Sequence, residues 1–460
     1  MRFMIAVGIA AFLAACTPQT SAPTATPETT RATAALPDLP AMRRFSGNTS
    51  TAPQRPNSEI AADFIDLAFQ MESGRRLLFL SRFNTPITLR VTGPVPASVG
   101  PDLSALLSRF RREAGIDISR VSASAEANIN IEMLPQAELQ RLVPQAACFV
   151  VPRVTSWNEY KRERRSATLD WITLRTREKV AIFIPNDTSP QEIRDCLHEE
   201  IAQALGPLND LYRLPDSVFN DDNFHTVLTG FDMLILRAFY DPALAPGMTR
   251  SEVEARLPGI LARLNPAGQR RTGDAPPRAT TRDWIDQIET ALGPGTGHSR
   301  RIRSAKAAVN IAQANGWGDN RLGFSLFALG RLELGEDADL AFQAFVDAGN
   351  IYAQSSVTEI QEAHVAMHLA AFALSAGQAD LALRVVNAHQ GTVTRAQNAA
   401  LLATLLMIKA EALDDLGRAS EAQSVRLDSL GWARYGFGTE LQVRGRLAEI
   451  AALSPGSGNS

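Results

Sequence analysis

Beyond residue 284 the chain repeats itself. Gly335 with Ala341, Gly377 with Ala382, and Gly417 with Ala422 mark the same place in three copies, the alanines lying 41 and 40 residues apart. Each copy reads as a helix, a turn at glycine and a second helix that opens near the small alanine. Apolar residues recur at helical spacing to about Ser454, and nothing there alternates like a strand. One such helix pair cannot bury its apolar faces alone and must stack on its neighbours. About three copies therefore restrict residues 284–454 to an array of α-helical hairpins, with an irregular helical bundle as the alternative.

The first copy adds Phe345 and Ala348, a large-then-small pairing that resembles the tetratricopeptide repeat. The period here is longer than that repeat's usual length of about 34 residues, and its tryptophan and proline positions are mostly missing. The resemblance implies a concave face that takes a protein or peptide partner.

Residues 58–264 have a mixed texture. Helical spacing runs from Glu59 to Phe69 behind Ser58, and from Asp102 to Ala114 before Gly115. Strands are predicted at Ile87 to Val91, Asn128 to Met133, Cys148 to Arg153 and Lys179 to Ile184. Pro190 then opens a helix to Leu205 that stops at Gly206-Pro207. Two more helices are predicted, near Thr226 to Tyr240 and Thr249 to Leu264. The fold class is α+β followed by an all-α array, with 265–283 as a linker and 455–460 as a disordered tail.

The N-terminus combines one early charge, Arg2, an apolar run from Phe3 to Leu13, and small residues before Cys16. That is the pattern of a secretory signal at 1–15, with an apolar run too short to cross a bilayer. Leu13-Ala14-Ala15-Cys16 resembles the lipobox of bacterial lipoproteins. The resemblance implies lipidation at Cys16, anchoring in a membrane and a periplasm-facing location. Thr17 favours the outer membrane over the inner. Residues 16–57, rich in Thr, Pro, Ala and Ser, are predicted to be a disordered tether. A formal net charge of -3 argues against a nucleic-acid partner. In an oxidising compartment, the two remaining cysteines, Cys148 and Cys196, most economically form one disulfide; two buried free thiols are the alternative.

The stretch from Cys196 to Asp210 carries the chemistry. The zinc-peptidase pattern H-E-x-x-H-x-x-G-x-x-H puts two histidines on one helix face and a glutamate beside the metal-bound water. Aligned on Glu199, Glu200, Gln203, Gly206 and Asn209, this sequence fills the pattern with oxygen-bearing side chains in place of all three histidines. Ser217 to Asn220 stands where metzincins have their methionine turn, with Phe219 at the methionine position. Leu228-Thr229 and Asp232, leading to Tyr240, resemble the opening of the C-terminal helix of matrix-type metallopeptidases. On these residues 58–264 resembles a bacterial family of unknown function often placed near the zincins. The resemblance implies Glu199, Gln203 and Asn209 as metal ligands and Glu200 as general base.

One carboxylate and two carboxamides make a poor trap for zinc, which favours thiolate and imidazole. No zinc is therefore expected, and the cofactor is left open. A degenerate, inactive scaffold is the leading expectation; a metal-dependent hydrolase with oxygen ligands is the alternative. His198 and His225 are candidate replacement ligands, and His364 with His368, four apart on a helix, form a second histidine pair. The run Lys161-Arg162-Glu163-Arg164-Arg165 reads as a solvated hairpin tip or a site for anionic lipid or polymer.

Overall fold

The structure, a computed structural model, describes residues 39–47, 50–53, 55–269 and 279–455. Cys16, the signal segment, residues 270–278 of the expected linker and 456–460 of the expected tail lie outside the described residues.

The α+β part opens with α1 (Asn57–Phe69), then β1 (Ile87–Thr92), α2 (Val99–Arg109), β2 (Ile118–Arg120) and β3 (Ile129–Leu134). It continues through α3 (Gln136–Gln140), β4 (Phe149–Pro152), α4 (Trp157–Glu163) and β5 (Val180–Pro185). Four helices complete it: α5 (Pro190–Leu205), α6 (Gly230–Phe239), α7 (Arg250–Leu264) and the short α8 (Pro266–Gln269). The sheet order is β2-β1-β3-β5-β4, parallel except for β4, which runs antiparallel to β5 at the edge. β5 is buried along its whole length, and its run Val-Ala-Ile-Phe-Ile has the unbroken apolar character of a strand covered on both faces. One face packs with α1, α2, α5, α6 and α7 in the main core. The other carries a smaller cluster around Leu139, Trp157 and Phe183, under α3 and α4.

The array comprises α9 (Arg282–Leu292), α10 (His298–Ala314), α11 (Asn320–Glu333), α12 (Ala338–Tyr352), α13 (Glu359–Ser375), α14 (Ala379–Arg395), α15 (Ala399–Asp415), α16 (Ala419–Gly436) and α17 (Glu440–Ala451). The three marked copies are the hairpins α11–α12, α13–α14 and α15–α16. Ala341, Ala382 and Ala422 are fully buried where the second helices meet the stack. Gly377 and Gly417 take the left-handed backbone, φ 69° and 72°, that lets the chain reverse in so short a turn. No helix among the described residues is long and apolar enough to cross a membrane.

Four details differ from the sequence expectation. Strand β2 is a three-residue element with one buried side chain, set by its pairing with β1 rather than by its own pattern. The basic run does not tip a hairpin: Lys161 to Glu163 end α4, which Ser156 caps by accepting from the Glu159 N–H. The linker is shorter than expected, because α8 occupies 266–269 and α9 begins at Arg282; Asn265 and Asn57 exchange hydrogen bonds of 3.0 Å across the start and end of the domain. The end of the segment expected as a tether is docked instead. Residues 39–47 lie on α16, where Phe45 stacks on Trp432 at 4.4 Å, Arg43 pairs with Asp428 at 2.8 Å, and Arg434 donates to the Pro40 carbonyl. Thr51 then crosses the start of α6 so closely that a Cβ on Gly230 would sit 1.7 Å from its carbonyl oxygen. Leu39, Met42 and Phe45 supply the apolar contact that the average composition of the segment conceals.

The two parts share a continuous interface, and the first helix of each marked hairpin contributes to it. Asn320 on α11 donates to the Tyr212 carbonyl at 2.6 Å, and Gln361 on α13 to the Pro215 carbonyl at 2.7 Å. Gln191 on α5 accepts from the Ala400 N–H on α15. Phe224 inserts its ring between Phe324, Phe327, Tyr352 and His364, with centroids 4.8 to 6.2 Å away.

Candidate functional site

The motif helix α5 is specified at both ends. Ser189 and Glu192 form a reciprocal capping box with Pro190 in the first turn. At the other end the buried guanidinium of Arg177 donates to the carbonyls of Gln203, Ala204 (2.8 Å) and Gly206 (2.6 Å), groups that otherwise have no partner within the helix. Burial brings the Arg177 pKa down to about 10. Its guanidinium also lies over the Trp171 ring.

This places Glu199 and Gln203 one turn apart on a single face, with Glu200 beside them. The chain leaving the helix is fastened to α1: Leu208 N–H donates to the Leu67 carbonyl, and the Asn209 side-chain amide to the Asp66 carbonyl at 3.0 Å. Gln203 and Asn209 are buried, and Glu199 is half-buried.

Glu200 is 4% exposed, and its Oε2 has no hydrogen-bond partner. Burial raises its pKa well above the usual carboxylate range, and the neighbouring charges of Glu199 and Glu72 raise it further. Burial, then Asp221 and Glu72, push Glu199 up to about 8. Asp210 is raised by burial, by the charge of Glu72 and by a hydrogen bond to it, then by Glu199 and Asp221. Its Oδ1 is also without a partner. The charges that dominate this centre are all negative. Tyr212 borders it, donating its hydroxyl to Asp221 at 2.7 Å while its ring meets Trp284 of α9 edge-on at 5.0 Å.

Glu72, Asp210, Tyr212 and Asp221 escaped the sequence reading. Asp210 adjoins the motif, but Glu72 lies in a turn after α1 and has no local pattern that announces it.

The histidines serve elsewhere. His198 is buried, its Nδ1 accepts from the Leu228 N–H at 3.1 Å, and burial followed by Arg194 and Arg109 drives its pKa well below the usual value. His225 Nε2 donates to the Pro215 carbonyl. His364 and His368 sit in aromatic packing, His368 stacked on Phe345 at 4.3 Å and His364 edge-on to Phe224; burial first lowers both to about 3. Among the described residues no group of three His, Cys, Asp or Glu side chains is arranged to hold a metal ion. The donors that the resemblance assigns do not fit zinc: three oxygens, with the Asn209 amide nitrogen already committed to Asp66.

The turn after the motif is held by Asp232, which is fully buried. It accepts from Ser217 Oγ (2.5 Å), Val218 N–H (3.2 Å) and, as part of the α6 capping box, Thr229 N–H (2.7 Å). Phe219 is fully buried in the core. Cys148 and Cys196 form a disulfide with a Cα separation of 6.0 Å, joining the start of β4 to α5. A separate cavity of about 530 Å³ opens between the two parts, lined among others by Arg109, His225, Phe231 and Ile360. None of Glu199, Glu200, Gln203 or Asn209 lines it.

No curated protein and no solved structure matches the chain. Residues 57–259 match the model of a family described as a protein of unknown function (DUF2927). The chain thus carries a DUF2927 domain, from the start of α1 into α7, followed by a helical region.

Proposed function

We propose that this is a cell-envelope lipoprotein anchored through Cys16, whose first domain is a zincin-like scaffold without hydrolytic activity. The carrying observation is the fate of the motif side chains. The two candidate replacement imidazoles, His198 and His225, are engaged with backbone groups, and the ligand positions hold one carboxyl and two amides. A mixed sheet with its one antiparallel strand at the edge, next to the strand that feeds the motif helix, supports the zincin-like reading.

In this reading the tetratricopeptide-like array has two roles. Its first helices brace the loop that carries Asp210 and Asp221 of the acidic centre, and its remaining surface is left for a protein partner. A second reading rests on Glu200: it is a buried carboxyl with an unpartnered oxygen beside the ligand positions, and a cation held at them would offset the burial and the neighbouring charges that raise its pKa, leaving the carboxylate that general-base work needs. It would make the domain a metal-dependent hydrolase with oxygen ligands.

Metal analysis of the purified protein, with a peptide-hydrolysis assay of wild type and Glu200→Gln, separates the two. The scaffold reading expects no stoichiometric metal and no hydrolysis that depends on Glu200. A tightly held ion together with activity abolished in the variant would establish the hydrolase. For the anchor, acyl labelling and membrane fractionation should both be lost in Cys16→Ser.

A further inference from the structure

The carboxyls of the acidic centre are graded in depth. Glu200 is buried, Glu199 and Asp210 are half-buried, and Glu72 and Asp221 are exposed. Separate elements supply them: Glu72 the turn after α1, Glu199 and Glu200 the helix α5, Asp210 and Asp221 the loop beyond it. Exposed Glu289 of α9 acts on Asp221 from the side of the array. The centre is therefore a cleft with a floor, two walls and a mouth open to water.

Glu72 is the common neighbour. It shares a hydrogen bond with Asp210, and its charge reaches Glu199, Glu200 and Asp221. Because Glu72 is exposed and acts on Glu200 from another element, the Glu200 carboxyl faces the open side of the cleft. That side chain is 4% exposed and its Oε2 has no hydrogen-bond partner; Asp210 Oδ1 has none either. Buried acceptors of this kind are satisfied by a donor, and here the donor has to come from outside the chain.

The neighbouring arginines are engaged. Arg75 pairs with Asp170, Arg213 with Asp63 and Asp66, and Arg282 with Asp286 and Glu289. No Lys, Arg or His is among the charges that act on Glu199, Glu200, Asp210 or Asp221. The cleft thus calls for a cation, and its spread of oxygens decides which kind. Among the described residues no three acidic side chains converge on a point, as a single metal ion requires. An ammonium is likewise a point charge. A guanidinium is planar and fans five donors in a fork, so it meets acceptors that lie apart.

We propose that this cleft binds the guanidinium of an arginine offered by a protein or peptide partner, with Glu72 and Asp221 at the mouth and Glu200 at the floor. The inference rests on the reading of the domain as a scaffold without a resident metal, and it names what that scaffold recognises.

The test uses the chain from Thr17, which keeps every described residue, titrated with acetyl-Ala-Arg-Ala-amide. The citrulline counterpart has the same shape with oxygen in place of one nitrogen and no charge, and should bind about ten-fold more weakly or less. The lysine counterpart should bind roughly three-fold more weakly. Affinity for the arginine peptide should fall as salt rises. Glu72→Gln/Asp221→Asn should lower it by about five-fold. Glu126→Gln/Glu254→Gln, which removes the same charge from exposed positions outside the cleft, should leave it unchanged. Circular dichroism checks that the variants fold, and the peptide comparison on wild type needs no variant. Calcium and zinc are titrated alone in parallel. The proposal is overturned if the arginine peptide does not bind, if citrulline or lysine binds as well, or if the Glu72/Asp221 variant keeps full affinity. When neither metal binds either, that failure leaves the scaffold reading standing. Stoichiometric binding of a metal that displaces the peptide overturns both.

Discussion

Phe224→Ala tests whether the array holds the site loop in place. The ring is 3% exposed and meets four aromatic side chains from α11, α12 and α13 with centroids between 4.8 and 6.2 Å. Truncating a buried phenylalanine to alanine costs about 3–5 kcal/mol in lost transfer energy and cavity formation. The aromatic geometry, edge-on to Phe324, Tyr352 and His364, places this site toward the upper end. The anchor also lies three residues from Asp221, so losing it should release the loop and let the two parts melt separately. Calorimetry is the assay, because a single heat-absorption peak should become two in the variant. Tryptophan emission reports the same event, since Trp157 and Trp171 lie in the α+β domain and Trp284, Trp317 and Trp432 in the array. Phe342→Ala is the control: that ring is 44% exposed on α12 and should cost under about 1 kcal/mol. If the two substitutions cost the same and the peak stays single, the brace does not exist.

Stability should fall as pH rises across the neutral range. Glu199 has a folded pKa of about 8 against 4.5 for the free side chain, so the folded state keeps its proton longer than the unfolded state. That contribution is complete below the unfolded value and is lost as pH climbs toward the folded one, at about 1.4 kcal/mol per unit for a single group. Urea midpoints from pH 5 to 7.5 should show this decline, and Glu199→Gln should make it shallower, Glu200 and Asp210 keeping part of it; a midpoint that rises with pH refutes the assignment. Removing the disulfide by Cys148→Ser/Cys196→Ser opens a loop spanning 48 positions and should cost about 4 kcal/mol, read as a loss of thermal stability that reductant reproduces in wild type. Arg177→Met should cost about 3 kcal/mol or more, since it strips the donors from several buried carbonyls at the end of α5. Arg177→Lys should restore little of that, because an ammonium does not reproduce the planar fork.

The sequence located β5 and α5 almost to the residue, for local reasons. A strand buried on both faces is apolar throughout, and Ser189, Pro190 and Glu192 write the start of the helix within four positions. β2 was not legible, because three residues with one buried side chain become a strand only when β1 lies beside them. The hairpin of α9 and α10 lacks the glycine–alanine mark of the later copies, so it fell inside the expected array without being marked as a copy. Docking of residues 39–47 was hidden for another reason. Composition averages over a segment, whereas Phe45 against Trp432 is a single contact between positions 387 apart. The site divides the same way. Spacing along one helix found Glu199, Glu200 and Gln203, and the turn beyond it Asn209, while Glu72 and Asp221 reach the centre only through the tertiary fold.

The acidic centre shows why spacing alone did not settle the chemistry. A pattern of positions transfers between proteins with the backbone, but what it can hold depends on the charges around it. Here the influences on Glu199, Glu200 and Asp210 are burial and the negative charges of Glu72, Asp221 and Glu199, with no cationic side chain among them. Such a cluster relieves its repulsion by keeping protons or by taking a cation. A cation at Glu199 must then release a proton held with a pKa of about 8, at about 1.4 kcal/mol for each unit by which that exceeds the solution pH. Three imidazoles, neutral at the same pH, would impose no such cost. Replacing nitrogen by oxygen at these positions therefore weakens the site twice, through zinc's preference for imidazole at all three and through proton competition at Glu199, the one of the three that ionises, and the scaffold reading rests on both.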